Sequence, residues 1–448
     1  MTIPQLYDIF LQHPCVTTDT RDCPEGSLFF ALRGESFDGN QFAQQALQKG
    51  CAFAVVDDAN VAKQDERMIL VDDVLKCLQD LAAFHRRKLK TPILQITGTN
   101  GKTTTKELCA AVLARKYNLL YTQGNFNNHI GVPKTLLQLR PEHEMAVVET
   151  GANHPGEIAL LTAIVQPDCG LITNVGRAHL EGFGSFEGVK RTKGELYDYL
   201  RTKPEGFIFL HADSADLVAM SEGLHAFTYG RIGQEYNIEG QVDESSAFLH
   251  LRWRSRESDW HEIDTHLVGA YNAPNALAAI AVGTYFRVPA REISDALRTY
   301  VPHNNRSELR HTEHNDLIVD AYNANPSSMA VALDNFQHLN HPHKVAILGE
   351  MRELGTSSAA EHQHIVERLP QLGCETVLLV GRNFSQALET INALRAEKGE
   401  AQNDLPLTLC FENVEAVTEY LEQHPMRDRL VLIKGSNGTK LFQLPEKL

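Results

Sequence analysis

The chain has no apolar run that approaches the ~18 residues needed to cross a bilayer, and its first residues lack the basic and apolar segments of a secretory signal. These absences exclude a membrane-spanning protein, and we expect a cytoplasmic location. The sequence also has neither a fixed-period repeat nor a low-complexity segment. With 448 residues, the chain is long enough for about three domains of roughly 150 residues each.

Cysteine pairs and basic tracts are missing as well. The eight cysteines are scattered, without a Cys-x-x-Cys pair or the histidine spacing of a zinc site, so we expect free thiols that are mostly buried. The net charge of −15 and the lack of a concentrated Lys/Arg tract argue against a nucleic-acid backbone as the main partner. The densest basic cluster, at residues 86–88, is interpreted as a solvated helix end or linker.

Short apolar runs alternate with amphipathic stretches along the whole chain, which predicts an α/β fold with mainly parallel strands. Polar or turn-rich breaks near residues 88–92 and 301–305 divide this pattern into three units. We predict a small α/β domain at 1–88, a central parallel sheet at 89–304 and a doubly wound, Rossmann-like domain at 305–448. Within the central unit, a polar alternating stretch near 235–268 predicts antiparallel strands.

The most informative motif lies at residues 93–105, where an apolar run turns through two glycines into Gly-Lys-Thr and then into a helix-like stretch. In such a loop the backbone N–H groups point inward, and the helix N-terminus adds a positive dipole toward bound phosphate. Lys102 would neutralise the outer phosphates, and the hydroxyl of Thr103 would face Mg²⁺. Ile96 stands where the usual P-loop has its first glycine, so the loop is short. A chance turn is the alternative, but strand, glycines and helix together favour a nucleoside triphosphate and a central domain of P-loop ATPase type.

Polar residues that follow apolar strands are further candidates, since ligands collect beyond the carboxyl ends of strands in open α/β sheets. Glu149 ends the run 145–148, from which a carboxylate can hold Mg²⁺, and a solvated strand-end acid is the alternative. His179 lies in a loop and is equally compatible with a surface role, because imidazole suits zinc better than magnesium. From chemistry alone, Lys190 and Lys193 are interpreted as part of a solvated helix face.

Eight motifs, which run in order through all three units, resemble those of the Mur ligases of peptidoglycan synthesis. They are GTNGKTT (98–104), NFNNHIGVP (125–133), ETGANHPGEI (149–158), AHLEGFGS (178–185), GAYNAPNA (269–276), DAYNANP (320–326), GEMRELG (349–355) and KGS (434–436). The resemblance implies that the first domain binds a UDP-linked substrate, that the central domain binds ATP, and that the third domain completes the site. Within the family, the motifs are most similar to those of the member that joins a dipeptide to a muramoyl tripeptide.

The activity implied by the resemblance is ATP-dependent addition of D-alanyl-D-alanine to UDP-N-acetylmuramoyl-tripeptide through an acyl phosphate. Phosphoryl transfer needs mainly positioning and charge neutralisation, which a backbone cradle, a lysine and Mg²⁺ can supply. The resemblance implies catalytic roles for Lys102, Glu149, His179 and Lys193. It also implies that Mg²⁺ is held by Thr103, Glu149, His179 and a carbamylated Lys193, which reverses the solvated-face interpretation of that lysine.

The contacts to nucleotide and substrate are implied in the same way. The implied nucleotide contacts are Gly98, Thr99, Asn100, Gly101, Lys102, Thr103, Thr104, Asn272, Asn275, Arg306, Asp320, Tyr322 and Asn325. The implied substrate contacts are Thr20, Arg21, Arg33, Gly34, Asn127, Asn128, Asn153 and His154. Helix capping is the alternative for Asn272 and Asn275. We expect a monomer whose third domain closes over the central one about residues 302–306 and excludes water.

Two other functions stay open at this point. A sister ligase that adds the third stem residue would share the glycine loop and the metal residues, but its central motif would not usually read GANHPGEI. A nucleotide-dependent switch would have no use for the metal and third-domain motifs, and the guanine-specific Asn-Lys-x-Asp signature is absent. The identity of the third stem residue, diaminopimelate or lysine, and the selectivity for the dipeptide also stay open.

Overall fold

Three β-sheets, one in each of the predicted units, form the framework of the protein. The computed structural model describes residues 1–231, 235–243, 247–256, 258–303, 305–397 and 406–448. The predicted α/β class with mainly parallel strands is confirmed, since most neighbouring strand pairs among the described residues are parallel. Asn304, within the predicted break at 301–305, lies outside the described residues. The predicted domain boundaries stay predictions.

The first sheet is small and parallel, with the strands in chain order. Its elements are α1 (Ile3–Gln12), β1 (Val16–Thr17), β2 (Leu28–Phe30), α2 (Ala43–Gln48), β3 (Phe53–Val56), α3 (Ala59–Ala62), β4 (Met68–Leu70) and α4 (Val74–Lys88). Asp73 caps α4, because its side chain accepts a hydrogen bond from the backbone N–H of Lys76 at 2.8 Å. Leu78 and Leu81 on α4 belong to one apolar cluster with Val148 of the next unit, so the first two units share a core.

The end of α4 is buried rather than solvated at Arg86. Its guanidinium donates to Asp168 Oδ2 at 2.9 Å and to the carbonyl oxygen of Val165 at 3.2 Å. The interpretation of residues 86–88 as a solvated cluster is therefore wrong for Arg86, which ties the first unit to the central one. The interpretation as a helix end is confirmed.

The central sheet has the strand order β13-β12-β11-β10-β9-β8-β5-β7-β6. Its strands are β5 (Ile93–Thr97), β6 (Leu119–Tyr121), β7 (Met145–Glu149), β8 (Cys169–Ile172), β9 (Phe207–His211), β10 (His225–Arg231), β11 (Ile238–Asp243), β12 (Phe248–Ser255) and β13 (His261–Val268). Its helices are α5 (Lys102–Leu113), α6 (Gly131–Leu136), α7 (Glu157–Val165), α8 (Leu180–Phe183), α9 (Phe186–Arg201), α10 (Ala215–Met220), α11 (Ala273–Tyr285) and α12 (Ala290–Thr299). The pairing of β11, β12 and β13 is antiparallel, as predicted for residues 235–268.

Strand β5 lies between β7 and β8, and all three run parallel. Every residue of these strands is buried, which is typical of parallel strands covered by helices on both faces. Ile96 pairs with Glu149 in the register of β5 and β7, so the carboxylate that ends β7 lies beside the glycine loop that follows β5.

The third sheet has the order β14-β15-β19-β16-β17-β18, with parallel pairing except between β14 and β15. Its elements are β14 (Glu308–His311), β15 (Asn315–Asp320), α13 (Pro326–His338), β16 (Lys344–Gly349), α14 (Ser358–Arg368), β17 (Thr376–Val380), α15 (Arg382–Glu397), β18 (Leu407–Phe411), α16 (Val414–Gln423) and β19 (Arg429–Lys434). Strands β14 and β18 were not predicted. Both lie at an edge of the sheet and are partly exposed, and β14 has only one apolar residue. None of the described helices is long and apolar enough to span a membrane.

Candidate active site

A cavity of about 720 Å³ lies where the carboxyl ends of the central strands face the third sheet. The central sheet contributes the glycine loop after β5, Glu149 at the end of β7, and His179. The third unit contributes Arg306, Asp320 and Lys434. The cavity thus lies at the strand ends where the candidate residues were predicted. The central unit and the third unit both contribute residues to it.

The glycine loop is held by its own backbone conformation and by the loop after β8. Gly98 has φ +143°, and a Cβ there would lie 2.0 Å from Thr173 Oγ1, so a side chain is excluded. The backbone N–H of Asn100 donates to Asn174 Oδ1 at 3.0 Å, and Thr173 Oγ1 donates to the carbonyl oxygen of Asn100 at 2.6 Å. Gly101 has φ +76° and directly precedes α5, so the helix N-terminus opens on the loop.

Lys102 folds back over this loop. Its Nζ donates to the carbonyl oxygens of Gly98 at 2.9 Å and Thr99 at 2.8 Å. Burial lowers the pKa of Lys102 to about 8, and the nearby carboxylate of Glu149 opposes this shift. Bound phosphate would stabilise the ammonium form in the same way, because an opposite charge raises the pKa of a lysine.

Glu149 is fully buried, and only one of its carboxylate oxygens is paired. Oε1 accepts hydrogen bonds from Thr103 Oγ1 at 3.1 Å and from Asn127 Nδ2 at 2.7 Å. Oε2 is buried and finds no donor among the described residues. An unpaired buried carboxylate oxygen is costly unless a cation or donor faces it, so the solvated-acid alternative is wrong. The oxygen donors of Glu149 and Thr103 fit Mg²⁺.

Lys193 is 2% exposed, so the structure contradicts the solvated-face interpretation that the chemistry alone had favoured. Its Nζ lies 3.4 Å from the carbonyl oxygen of Ala152 and 5.3 Å from the ring centroid of Phe183. Burial lowers the pKa of Lys193 to about 7, and the charge of Lys102 acts in the same direction. Lys190 is paired at 2.8 Å with Asp216 near the surface, so the solvated-face interpretation suits this lysine.

His179 directly precedes α8 and lies in the left-handed region, with φ +50°. Its ring lines the cavity, and its Nδ1 is hydrogen-bonded to the Glu353 carboxylate of the third unit. Burial lowers the pKa of His179, whereas the Glu353 charge opposes the shift. The surface alternative for His179 is therefore wrong. In the described residues, clusters of three or more His, Cys, Asp and Glu side chains suited to a metal are absent.

Asn272 and Asn275 lie at the start of α11 and line the cavity. Asn272 Nδ2 donates to the carbonyl oxygen of Val268 at 2.8 Å, and Asn275 Nδ2 donates to Asn272 Oδ1 at 2.9 Å. Asn275 Oδ1 accepts from Thr105 Oγ1 at 3.1 Å. The side chain of Asn272 does not cap the helix, so the capping alternative is wrong for this residue. Asn275 thus joins α11 to α5, the helix that follows the glycine loop, and Asn272 joins Asn275 to the end of β13.

The third unit brings a cation and a carboxylate to the cavity. The Arg306 guanidinium lies 3.7 Å from the ring centroid of Tyr322, and its buried Nε has no acceptor among the described residues. Asp320 Oδ2 accepts from Lys434 Nζ at 2.5 Å. Asn325 Nδ2 donates to Asn100 Oδ1 at 2.8 Å, so this unit contacts the glycine loop directly.

The implied substrate residues divide into two groups. Asn127, Asn128 and Asn153 line the cavity, whereas His154 lies beside it with its backbone N–H donating to Glu157 Oε2 at 3.0 Å. The remaining four, in the first unit, are outside the cavity lining: Thr20, Arg21, Arg33 and Gly34. In that unit, Arg21 is paired with Asp19 at 2.6 Å and Arg33 with Asp57 at 2.9 Å.

Three residues at the site were not among the catalytic, metal, nucleotide or substrate residues predicted from the sequence. Lys434 and Glu353 belong to motifs that were matched but gave no individual assignment, and His211 ends β9 and lines the cavity. The strand-end rule that found Glu149 applies to His211 and Lys434 as well. Glu353 follows no strand directly, and its pairing with His179 depends on how two units pack.

Comparison with known proteins gives matches along the whole chain. The family models match as "Mur ligase family, catalytic domain" at residues 14–86, "Mur ligase middle domain" at 96–283 and "Mur ligase, glutamate ligase domain" at 305–437. The chain is 32% identical to the UDP-N-acetylmuramoyl-tripeptide–D-alanyl-D-alanine ligase of Bacillus subtilis, covering 97% of this chain and 92% of that protein. It is 32% identical to the ligase of the same name from Escherichia coli, covering 98% and 99%. A crystal structure of MurF from Acinetobacter baumannii superposes with a TM-score of 0.82 at 29% identity, covering 97% and 92%.

Proposed function

The chain belongs to the Mur ligase family, and from this membership we propose that it is an ATP-dependent ligase that joins D-alanyl-D-alanine to UDP-N-acetylmuramoyl-tripeptide. The Bacillus and Escherichia relatives carry this activity in their names, and the matches cover them almost from end to end. The bond formed is an amide between the terminal carboxyl of the stem peptide and the amine of the dipeptide. The reaction extends a peptidoglycan precursor, and we place it in the cytoplasm.

The chemistry requires activation, because an ionised carboxylate is a poor electrophile. A carboxylate oxygen of the tripeptide attacks the γ-phosphorus of ATP, the bond to the bridging oxygen breaks, and ADP leaves. The dipeptide amine then attacks the acyl carbon, loses a proton and displaces phosphate. The protein's part in such a transfer is positioning and charge stabilisation, for which the glycine loop, Lys102 and Arg306 are suited.

One observation carries the proposal most directly. The unpaired Oε2 of Glu149 is buried at the cavity, and its other oxygen is bonded to Thr103, the residue after Lys102. A phosphate cradle, a lysine and a carboxylate with an unsatisfied oxygen are the parts that a magnesium nucleotide requires. A nucleotide-dependent switch would share these parts, but the catalytic family membership favours the ligase.

The residues present fit Mg²⁺. We infer that Thr103 and Glu149 would hold one ion, and that Glu149, His179 and carbamylated Lys193 would hold a second. When bound, the ions would neutralise charge that develops on the transferred phosphoryl group. Mg²⁺ prefers oxygen ligands, and the carbamate would replace a nitrogen donor with two oxygens.

Carbamylation of Lys193 is chemically favoured by its surroundings. The amine must be neutral to attack CO₂, after which an N–C bond forms and a proton is released. Burial lowers the pKa of Lys193 to about 7, so a large fraction of the amine is neutral near pH 7. An ordinary lysine with the reference pKa would have roughly one neutral amine in three thousand at this pH.

Domain closure is the remaining part of the proposal. The third unit contacts the central one through Asn325 on Asn100, and through the backbone N–H of Arg177, which donates to Ser327 Oγ at 3.0 Å. We propose that these contacts belong to a closed state, that residues 302–306 act as the hinge, and that closure excludes water from the acyl phosphate.

We propose that the first unit binds the UDP-linked end of the substrate. Thr20, Arg21, Arg33 and Gly34 lie outside the cavity lining, in the unit that packs on the central domain through α4. A long UDP-muramoyl peptide has to reach from its nucleotide end to a reacting carboxyl in the cavity. We therefore propose that these residues contact the uridine diphosphate part and that Asn127, Asn128, Asn153 and His154 contact the peptide end.

A substrate panel tests the proposed function. UDP-muramoyl tripeptides with diaminopimelate or lysine as the third residue, together with the UDP-muramoyl dipeptide that lacks this residue, would be crossed with single amino acids and dipeptides, and product mass and phosphate release would be measured. We expect phosphate release to need both the tripeptide and D-alanyl-D-alanine, and the product to gain one dipeptide. Extension of a muramoyl dipeptide by an amino acid would instead identify the sister ligase, and phosphate release that needs neither substrate would indicate a switch.

Arg306→Ala is expected to lower turnover by about 10²-fold or more, with little change in the midpoint of thermal unfolding. The guanidinium lies over the ring of Tyr322, and its Nε has no acceptor in the part of the chain that the structure describes, so its removal costs little hydrogen bonding in the folded state. Steady-state kinetics with varied ATP would measure the effect. Arg368→Ala is a matched control, because Arg368 lies in the same unit, is paired with Asp334 and is not among the cavity-lining residues. Wild-type kinetics in Arg306→Ala would rule out a phosphate role.

A further inference from the structure

The loop between β16 and α14 carries Glu353 across the interface to the central domain. The Glu353 carboxylate bonds to Nδ1 of His179, and its backbone carbonyl oxygen accepts from the N–H of Glu181 at 3.4 Å. Two residues further on, a Cβ built on Gly355 would lie 3.6 Å from Cβ of Glu181. The loop is therefore seated on the first turn of α8 through a side chain, a backbone group and a close packing contact.

The backbone on both sides of this contact is unusual. Glu353 has φ +62° and His179 has φ +50°, and neither residue is a glycine. Residues other than glycine, asparagine and aspartate seldom adopt the left-handed region, and such conformations persist where the surrounding structure fixes them, often at functional sites. Two such residues whose side chains meet across a domain interface indicate that their relative placement matters.

The bond to Glu353 determines which ring nitrogen of His179 is free. A carboxylate can only accept, so Nδ1 carries the proton and donates it to Glu353. The lone pair of the neutral ring is then on Nε2, and His179 is one of the residues that line the cavity. Histidines that bind metals usually donate their other N–H to a carboxylate or carbonyl, which fixes both the tautomer and the ring orientation.

We propose that Glu353 is a positioning residue that holds His179 in the tautomer and orientation needed to bind a divalent cation, and that it does so only while the third domain is closed. This inference rests on the proposed magnesium-dependent function. It adds a link between closure and the metal site, because the residue that orients a ligand in the central domain comes from the third domain. Opening of the domains would release the ring and weaken cation binding.

A second ion pair across the same interface offers a matched control. The Arg177 guanidinium lies 3.4 Å from the Glu361 carboxylate, which is on α14, close to Glu353 in sequence. This pair joins the same two units but does not touch His179. If Glu353 contributed only general interface stability, loss of Glu361 would have a comparable effect.

The test measures binding of Mn²⁺, a paramagnetic substitute for Mg²⁺, by electron paramagnetic resonance in the presence of ADP and bicarbonate. We expect Glu353→Ala to lower the Mn²⁺ affinity of the site that includes His179 by about 10- to 100-fold. Glu353→Gln should lose less, because its amide oxygen can still accept from Nδ1. Glu361→Gln should bind Mn²⁺ as the wild type does. Thermal unfolding of each variant would show that the fold is kept.

The double variant decides whether Glu353 acts through His179. In a His179→Ala background, Glu353→Ala should cause no further loss of Mn²⁺ affinity. A further loss there, an equal effect of Glu361→Gln, or wild-type affinity in Glu353→Ala would overturn the inference. A wild-type protein that binds no Mn²⁺ with ADP and ligates nothing in the substrate panel would instead overturn the proposed function itself, so the two failures are distinguishable.

Discussion

Lys102→Met is expected to lower the rate of ATP-dependent ligation by on the order of 10²- to 10³-fold. The ammonium group lies over the glycine loop and donates to the carbonyl oxygens of Gly98 and Thr99. Methionine keeps the length of the side chain and removes the charge, so phosphate charge would no longer be neutralised. Single-turnover rates of ADP formation, measured with saturating tripeptide, would report the chemical step rather than product release.

The fold should survive this substitution. Burial lowers the pKa of Lys102 to about 8, so the charged form is disfavoured at this position without an anionic partner, and removal of the ammonium relieves that cost. Lys116→Met is the control, because Lys116 also donates to two carbonyl oxygens, those of Phe286 and Arg287, but is exposed and outside the cavity lining. A rate in Lys102→Met within a few-fold of the wild type would exclude the proposed phosphate contact.

The sequence predicted those parts of the site and fold whose residues lie in one continuous stretch of the chain. The glycine loop could be predicted because the apolar strand, the two glycines and the helix start are contiguous, and the structure places Lys102 and Thr103 at the cavity. Glu149 could be predicted because it ends a buried strand beside that loop in the sheet register. The antiparallel extension of the central sheet was visible as alternation of polar and apolar residues over 235–268.

The interpretation of Lys193 from charge alone was wrong, although the helical spacing of the neighbouring apolar residues indicates its burial. Lys193 lies four residues after Val189 and three before Leu196, on the face of α9 that is buried. The helical period therefore places it on the apolar stripe. The neighbouring basic residues obscured this signal, because a run of charges is usually a solvated face. Only the family resemblance corrected the interpretation before the structure was considered.

Other features depend on packing between units and leave no local trace. Arg86 looks like any basic residue at a helix end, yet it is buried against Val165 and Asp168, which lie far along the chain. Glu353 is separated from His179 by well over a hundred residues and by a domain boundary. Its role can be inferred only after the third sheet is placed against the central one, which a pattern within a single element cannot specify.

Lys193→Ala is expected to be almost inactive in ligation and to recover part of its rate when a small carboxylic acid is added. Alanine removes the amine that would become a carbamate, so one set of oxygen donors at the proposed second ion is lost. Formate or acetate could enter the space that the side chain vacates and restore an oxygen donor there, without restoring the covalent link. Ligation rates measured against acid concentration should rise and saturate.

Lys190→Ala is the matched control for this prediction, because Lys190 is one turn away on α9 and pairs with Asp216 near the surface. This variant should keep the wild-type rate, and added acid should not change that rate.

Burial lowers the pKa of Lys193 to about 7. In the wild type, a pH below about 7 therefore protonates the Lys193 amine and should slow its carbamylation. Removal of bicarbonate should therefore lower wild-type activity most strongly at acid pH, and should leave acid-rescued Lys193→Ala unchanged. Full activity of Lys193→Ala without acid would contradict the carbamate assignment.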